Sequence, residues 1–104
     1  MKEYIMAMTT CPEKKGHELA HILVEKQLCA CVNVIQGVKS LYFWRGEIVE
    51  DSEVILLIKT EARFEENLRS AIIENHPYEI PEFIVFIIGS GSKNYLDWIS
   101  ATLS

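Results

Sequence analysis

Arg45 and Gly46 interrupt a stretch that is otherwise rich in strand-forming residues, and this break constrains the chain more than any other feature. Val38 to Trp44 runs into Glu47 to Lys59 with only that pair between them, and glycine accepts the positive φ that two-residue hairpin turns demand. The pattern predicts a β-hairpin with arms well beyond the ~5 to 6 residues of an average strand. Leu41, Tyr42, Phe43 and Trp44 stand in a row near the tip, opposite Ile48 and Val49, so apolar side chains point to both faces of the ribbon. Strands bathed in water alternate apolar and polar residues, so the tip predicts a cover, most simply another copy of the chain.

Around this hairpin the chain supplies the rest of a small sheet. Tyr4 to Met8 is apolar without alternation, which predicts a strand buried on both faces, and Thr9 to Pro12 turns out of it. Glu13 to Leu28 places Leu19, Ala20, Leu23, Val24 and Leu28 on one helical stripe. Ala30 to Ile35 is a strand that bends at Gly37 into the hairpin, and Val54 to Ile58 is another run with no polar face. Thr60 is placed to cap a second helix striped by Phe64, Leu68, Ala71 and Ile72, which Pro77 stops near Asn75. Phe83 to Ile88 is a last strand, and Tyr95, Trp98, Ile99 and Thr102 mark a short final helix.

That order, strand, helix, strand, strand, helix, strand, with right-handed crossovers and a central hairpin, predicts an α+β ferredoxin-like sandwich. Its antiparallel sheet is ordered 4-1-3-2, with both crossover helices on one face and a helix appended. Residues 1–104 are expected to make one domain, since a chain of this length has no surface-to-volume room for a second core. Phe83 to Ile88 would be an exposed apolar edge, which soluble proteins normally protect, and this is a second sign of oligomerisation.

Charge and cysteine content narrow the partners. A formal net charge of -5 disfavours nucleic acid, whose phosphates are bound by Lys and Arg, and suits cations instead. No apolar run approaches the ~20 residues that span a bilayer, and the acidic start lacks an export pattern, so a soluble cytoplasmic chain is expected. Three cysteines then imply reduced thiols rather than a disulfide framework.

Candidate functional residues fall in four groups. His17, His21 and Glu25 recur every four residues on one helix, a spacing that can hold a metal, though two histidines and a carboxylate do not close a site and a solvated face explains them. Cys29 and Cys31 lie two apart and would share a strand face as small buried hydrophobes. Cys11 ends a strand just before a helix, where the helix N-terminus would favour its thiolate, but no neighbour supplies a base for hydrolase chemistry. His76 to Glu82, reading His-Pro-Tyr-Glu-Ile-Pro-Glu, holds a histidine, a phenol and two carboxylates in a loop stiffened by two prolines. Either this loop is a ligand site or its prolines only stop the helix while Tyr78 packs beneath it. No Walker loop, GxSxG elbow or HExxH is present, so no enzyme is expected.

Several of these pieces together resemble the CutA family of divalent-cation tolerance proteins. The matching blocks are Thr10-Cys11-Pro12, Ala30-Cys31-Val32-Asn33, Tyr42 through Ile48, Ile58-Lys59-Thr60, His76-Pro77-Tyr78-Glu79 with Pro81-Glu82, and Tyr95-Leu96 with Trp98. Ile87 departs from the proline the family often carries there. The resemblance implies a ferredoxin-like homotrimer related to PII signalling proteins, with long hairpins and edge strands pairing between subunits. It also implies binding of divalent metal, Cu(II) above all, in metal tolerance, with Cys11, His76 and Glu82 at the family's ligand positions. Thiolate, imidazole and carboxylate suit Cu(II) or Zn(II). The alternative is a PII-like signalling or scaffold module that binds a small ligand or a partner protein at intersubunit clefts.

Overall fold

A computed structural model describes residues 2–104. The elements are β1 (Tyr4–Cys11), α1 (Glu13–Glu25), β2 (Cys31–Trp44), β3 (Glu47–Glu61), a 3-10 turn (Ala62–Phe64), α2 (Glu65–Asn75), β4 (Ile84–Ile88) and α3 (Lys93–Thr102). The sheet is antiparallel with order β2-β3-β1-β4, the order expected from the sequence. Arg45 and Gly46 have φ of 52° and 81°, so both central turn residues are left-handed, as the twist-matched type I′ hairpin requires. Gly37, at φ 75°, sits in a register shift between Ile35 and Val38, where the extra backbone bends the long ribbon away from the sheet. The hairpin thus makes an arm, and the described chain as a whole measures 46 × 24 × 23 Å.

The core lies between the sheet and α1 with α2. Ala7, Cys11, Val54, Leu56 and Ile58 point from β1 and β3 onto Leu19 and Leu23 of α1 and Leu68, Ala71 and Ile72 of α2. Burying each large aliphatic side chain contributes about 1.5–3 kcal/mol, so this cluster supplies most of the driving force for the layer. Burial along β1 alternates strictly, and its second face is only half covered, which corrects the expectation of a strand buried on both sides. There, Ile99 of α3 and Leu103, just past its end, cap one end against Ala30 and Tyr4.

Three local expectations need correction. The first helix stops at Glu25 rather than Leu28, because Gln27 adopts φ 55° and closes the end with bonds from its own N–H to the Val24 carbonyl and from the Leu28 N–H to the Leu23 carbonyl. Thr60 caps no helix. It is buried in β3, where its hydroxyl donates to the Leu28 carbonyl at 2.9 Å, and the 3-10 turn separates it from α2. Cys29 precedes β2 and is buried in the core, whereas Cys31 begins that strand half-buried, so the two do not share a strand face.

Large apolar groups remain outside the core. Phe43 is 76% exposed and Ile48 70% at the hairpin tip, and Ile87 is 79% exposed on β4, whose only partner strand among the described residues is β1.

Candidate functional site

Pro77 ends α2 and turns the chain across the end of β1, and His76 locks that turn in place. His76 is buried, its Nδ1 accepts from the Tyr78 backbone N–H at 3.1 Å, and its Nε2 therefore carries the proton that it donates to the Thr10 carbonyl at 2.8 Å. The Tyr78 ring packs on the imidazole with centroids 4.8 Å apart. From there the Tyr78 hydroxyl donates to Glu53 Oε2 of β3 at 2.5 Å. Glu53 is itself buried. One strand further out, the Tyr42 hydroxyl donates to Asp51 Oδ2 at 2.5 Å.

These contacts floor a cleft of about 680 Å³ between the hairpin and the proline-rich loop. Ser40, Tyr42 and Trp44 alternate along β2 and so line it together. Tyr42, Trp44 and Tyr78 give it aromatic walls, Glu53, Glu79 and Glu82 give it charge, and among the described residues no lysine or arginine lines it. Arg45 stands at its edge, 3.5 Å from Glu79 Oε2 and 5.4 Å above the Trp44 ring.

The electrostatics follow from crowding of acids. Burial, reinforced by the negative charge of Glu53, holds the Glu82 carboxyl above the usual range. Its Oε2 is buried with no hydrogen-bond partner among the described residues. Burial, the bond to Glu53 and the surrounding carboxylates push the Tyr78 phenol up, and the bond to Asp51 does the same for Tyr42. All of this favours keeping both phenol protons where they are.

The residues singled out from the sequence meet only partly. Cys11 ends β1, but its side chain points into the core rather than toward the loop. Burial, with Glu53 adding to it, pushes its thiol up to about 11, so the expected favouring of the thiolate by the helix N-terminus is overturned. His76 and Glu82 lie at the same end of the sheet, yet both imidazole nitrogens are committed within the chain and Glu82 faces the cleft. Among the described residues no three His, Cys, Asp or Glu side chains gather as a metal cluster, and His17, His21 and Glu25 are exposed on α1. Sequence reading missed Glu53, Asp51 and Tyr42 as site residues. The available signal was Glu50-Asp51-Ser52-Glu53 running directly into the apolar Val54 to Ile58, an acidic patch with no reason to sit in a central strand.

The family model described as "CutA1 divalent ion tolerance protein" matches residues 5–102, nearly the full length. The chain belongs to this family. Divalent-cation tolerance protein CutA of Thermus thermophilus is 39% identical over 97 residues, covering 93% of this chain and 94% of that protein. Mouse Protein CutA is 44% identical over 94 residues, but these cover 89% of this chain and 53% of the mouse protein, so the chain spans about half of that longer relative. Among solved structures, CutA1 from Oryza sativa superposes with a TM-score of 0.95 at 33% identity, covering 98% of this chain and 94% of that one. A structure titled "PII-like protein CutA" from Nostoc, in apo form, gives 0.89 at 36% identity, covering 100% and 98%. CutA proteins are thus named for tolerance of cations and not for a reaction. Their names also differ in compartment, with a chloroplastic relative in Arabidopsis thaliana and a structure from Archaeoglobus fulgidus titled periplasmic. Among the described residues no helix is long and apolar enough to cross a membrane.

Proposed function

We propose that this CutA-family chain is a non-catalytic homotrimer, each subunit a single domain, that responds to divalent cations through the acidic cleft beneath its hairpin. The observation that carries the reading is Glu82 Oε2, buried and without a hydrogen-bond partner among the described residues, near the buried carboxylate of Glu53. A buried acceptor left unmade costs about 1–3 kcal/mol, more when charged, and a cation relieves that cost for both carboxylates at once. Carboxylate and phenol oxygens favour hard divalent ions such as Mg(II) or Mn(II), with Zn(II) also accommodated.

Cu(II) held by Cys11, His76 and Glu82 does not fit these residues as one chain arranges them. Such a site would require Cys11 to leave the core and His76 to give up either the Thr10 or the Tyr78 bond. Glu82 alone carries over to the cation site proposed here.

Trimerisation is supported by the exposed hairpin tip and the unpaired edge of β4, which soluble chains normally cover, and by the PII-like relative. The unpaired cysteines suit a reducing compartment, the cytoplasm. Small anions or nucleotides, the alternative ligands of a signalling module, are disfavoured at this cleft by three carboxylates and no lining base. Thermal-shift measurements against MgCl2, MnCl2 and ZnCl2 test the reading. A concentration-dependent rise in the wild type that is lost in Glu82→Gln supports it, and equal responses from both proteins refute it.

A further inference from the structure

We infer that His17 and His21 of α1 form a second metal site, an open two-imidazole clamp for late first-row divalent ions, Cu(II) ahead of Ni(II). The pair shares no residue with the lining of the cleft, and the inference does not rest on the cation reading of that cleft.

Helix geometry brings the two rings together. Four residues advance about 6 Å along the axis and rotate about 40° past a full turn, so His17 and His21 stand one above the other. Side chains so spaced have Cβ atoms about 5–6 Å apart, and imidazole nitrogens that bond a metal at about 2.0–2.1 Å can converge on one ion from there. Glu25 continues the stripe but lies about 12 Å along the axis from His17, too far for one ion to take all three. A pair rather than a cluster is therefore what α1 offers, in keeping with the absence of any three-ligand group among the described residues.

The scaffold holds that pair still. Both histidines fall inside the helix, which runs from Glu13 to Glu25, and the opposite side of the helix is fixed to the sheet through buried Gly16, Leu19 and Leu23. Once one imidazole has bound the ion, the second is delivered within the same molecule, and this raises affinity beyond that of a single histidine.

Availability sets these two apart from the third histidine. His76 is buried with both nitrogens engaged, whereas His17 and His21 are exposed, so each keeps a ring nitrogen for an outside partner. They also stand clear of the surfaces assigned to subunit contact. The hairpin tip and the β4 edge belong to the sheet layer, while α1 turns these rings outward from the helical layer. Along α1, Lys14 opposes a cation one turn before His17, Lys15 is paired with Glu18 at 3.4 Å, and Glu25 adds a carboxylate one turn beyond His21. A net charge of -5 tips the wider field toward cations.

Ligand type selects the ion. Imidazole suits Cu(II) and Ni(II), which rank high in the general affinity order, whereas Mg(II) and Mn(II) prefer oxygen. Zn(II) normally takes three or four protein ligands and finds only two here, so it binds more weakly. Water fills the remaining positions, which leaves the site open to exchange.

The test is calorimetric titration of NiCl2 and CuSO4 into the assembled wild-type protein, with MnCl2 as the ion the pair should refuse. Saturable binding of one Ni(II) per chain, tighter for Cu(II), is expected, with Ni(II) affinity falling about tenfold or more in His17→Gln and in His21→Gln. Spacing is then tested at constant histidine count. His17→Gln combined with Glu25→His again places two imidazoles four residues apart and should recover Ni(II) binding. His21→Gln combined with Glu25→His places them eight apart and should not. The histidines and Glu25 are exposed, so these changes leave the core packing intact. No saturable Ni(II) binding to the wild type, binding that survives either single substitution, or equal recovery in both relocations would overturn the inference. Ni(II) binding lost in Glu82→Gln but kept in the histidine variants would also overturn it and assign the ion to the cleft, while Mn(II) binding in the wild type reports on the cleft alone.

Discussion

The imidazole of His76 donates through Nε2 to the Thr10 carbonyl at 2.8 Å while accepting the Tyr78 N–H at Nδ1, so one side chain joins the proline-rich loop to the end of the central strand. A residue with the ligand chemistry of a metal site is thus a structural strut within one chain. Replacing it leaves a carbonyl and an amide unpaired in a buried place. His76→Ala is expected to lose about 1–3 kcal/mol of stability, measured by urea unfolding at fixed protein concentration. Unchanged stability would mean that the strut contributes nothing.

Cys11 is expected to be inert. With its thiol pushed up to about 11 by burial, only roughly one molecule in a few thousand carries the thiolate near pH 7.5, and the folded core shields even that fraction. Iodoacetamide labelling followed by peptide mass spectrometry should leave Cys11 unmodified until urea unfolds the protein. Rapid labelling of the native protein would contradict its placement.

Much of this architecture could be read from residue patterns, and the misreadings share a physical cause. The Arg45-Gly46 turn, the bend at Gly37 and the stop at Pro77 are backbone constraints that act locally, so the sequence alone locates them. Thr60 and Cys11 depart from the sequence expectation because their roles depend on what packs against them from distant segments. Thr60 carries a capping side chain but meets the Leu28 carbonyl first, and Cys11 lies near a helix start but faces Leu19 and Val54. Glu53 escaped notice for the same reason, since only the tertiary approach of Tyr78 turns an acidic residue within a strand into the floor of a cleft.

Gly16 sets how closely α1 approaches the sheet. A Cβ there would overlap Val54 Cγ2 and press on Cys11 Sγ at 3.3 Å. Gly16→Ala is therefore expected to destabilise by about 1–3 kcal/mol despite alanine's better helix propensity, as read from denaturant midpoints. A neutral or stabilising result would show that the layer yields freely at this point.

Glu82 gives stability a pH dependence of known sign. Its folded carboxyl titrates above its ordinary value of 4.5, so the folded state holds the proton more tightly than the unfolded chain. Stability is then greatest below that ordinary value, falls as pH rises through the folded value, and stays lower beyond it. Glu82→Gln removes the charge, so its melting temperature in metal-free buffer should exceed the wild type's near pH 7.5, with the gap closing toward pH 4.5. A gap independent of pH would exclude ionisation as the cause.

The cleft as a cation site, built on oxygen donors rather than on the buried thiol, is tested most directly by calorimetric titration of MnCl2 and ZnCl2 into the wild type, Glu53→Gln, Glu82→Gln and Cys11→Ala, with light scattering to check for three copies of the 11.9 kDa chain. Saturable binding to the wild type that survives in Cys11→Ala and weakens at least tenfold in both carboxylate variants is the expected result. Binding that survives loss of both carboxylates but disappears with Cys11 would contradict it and return the metal to the thiol.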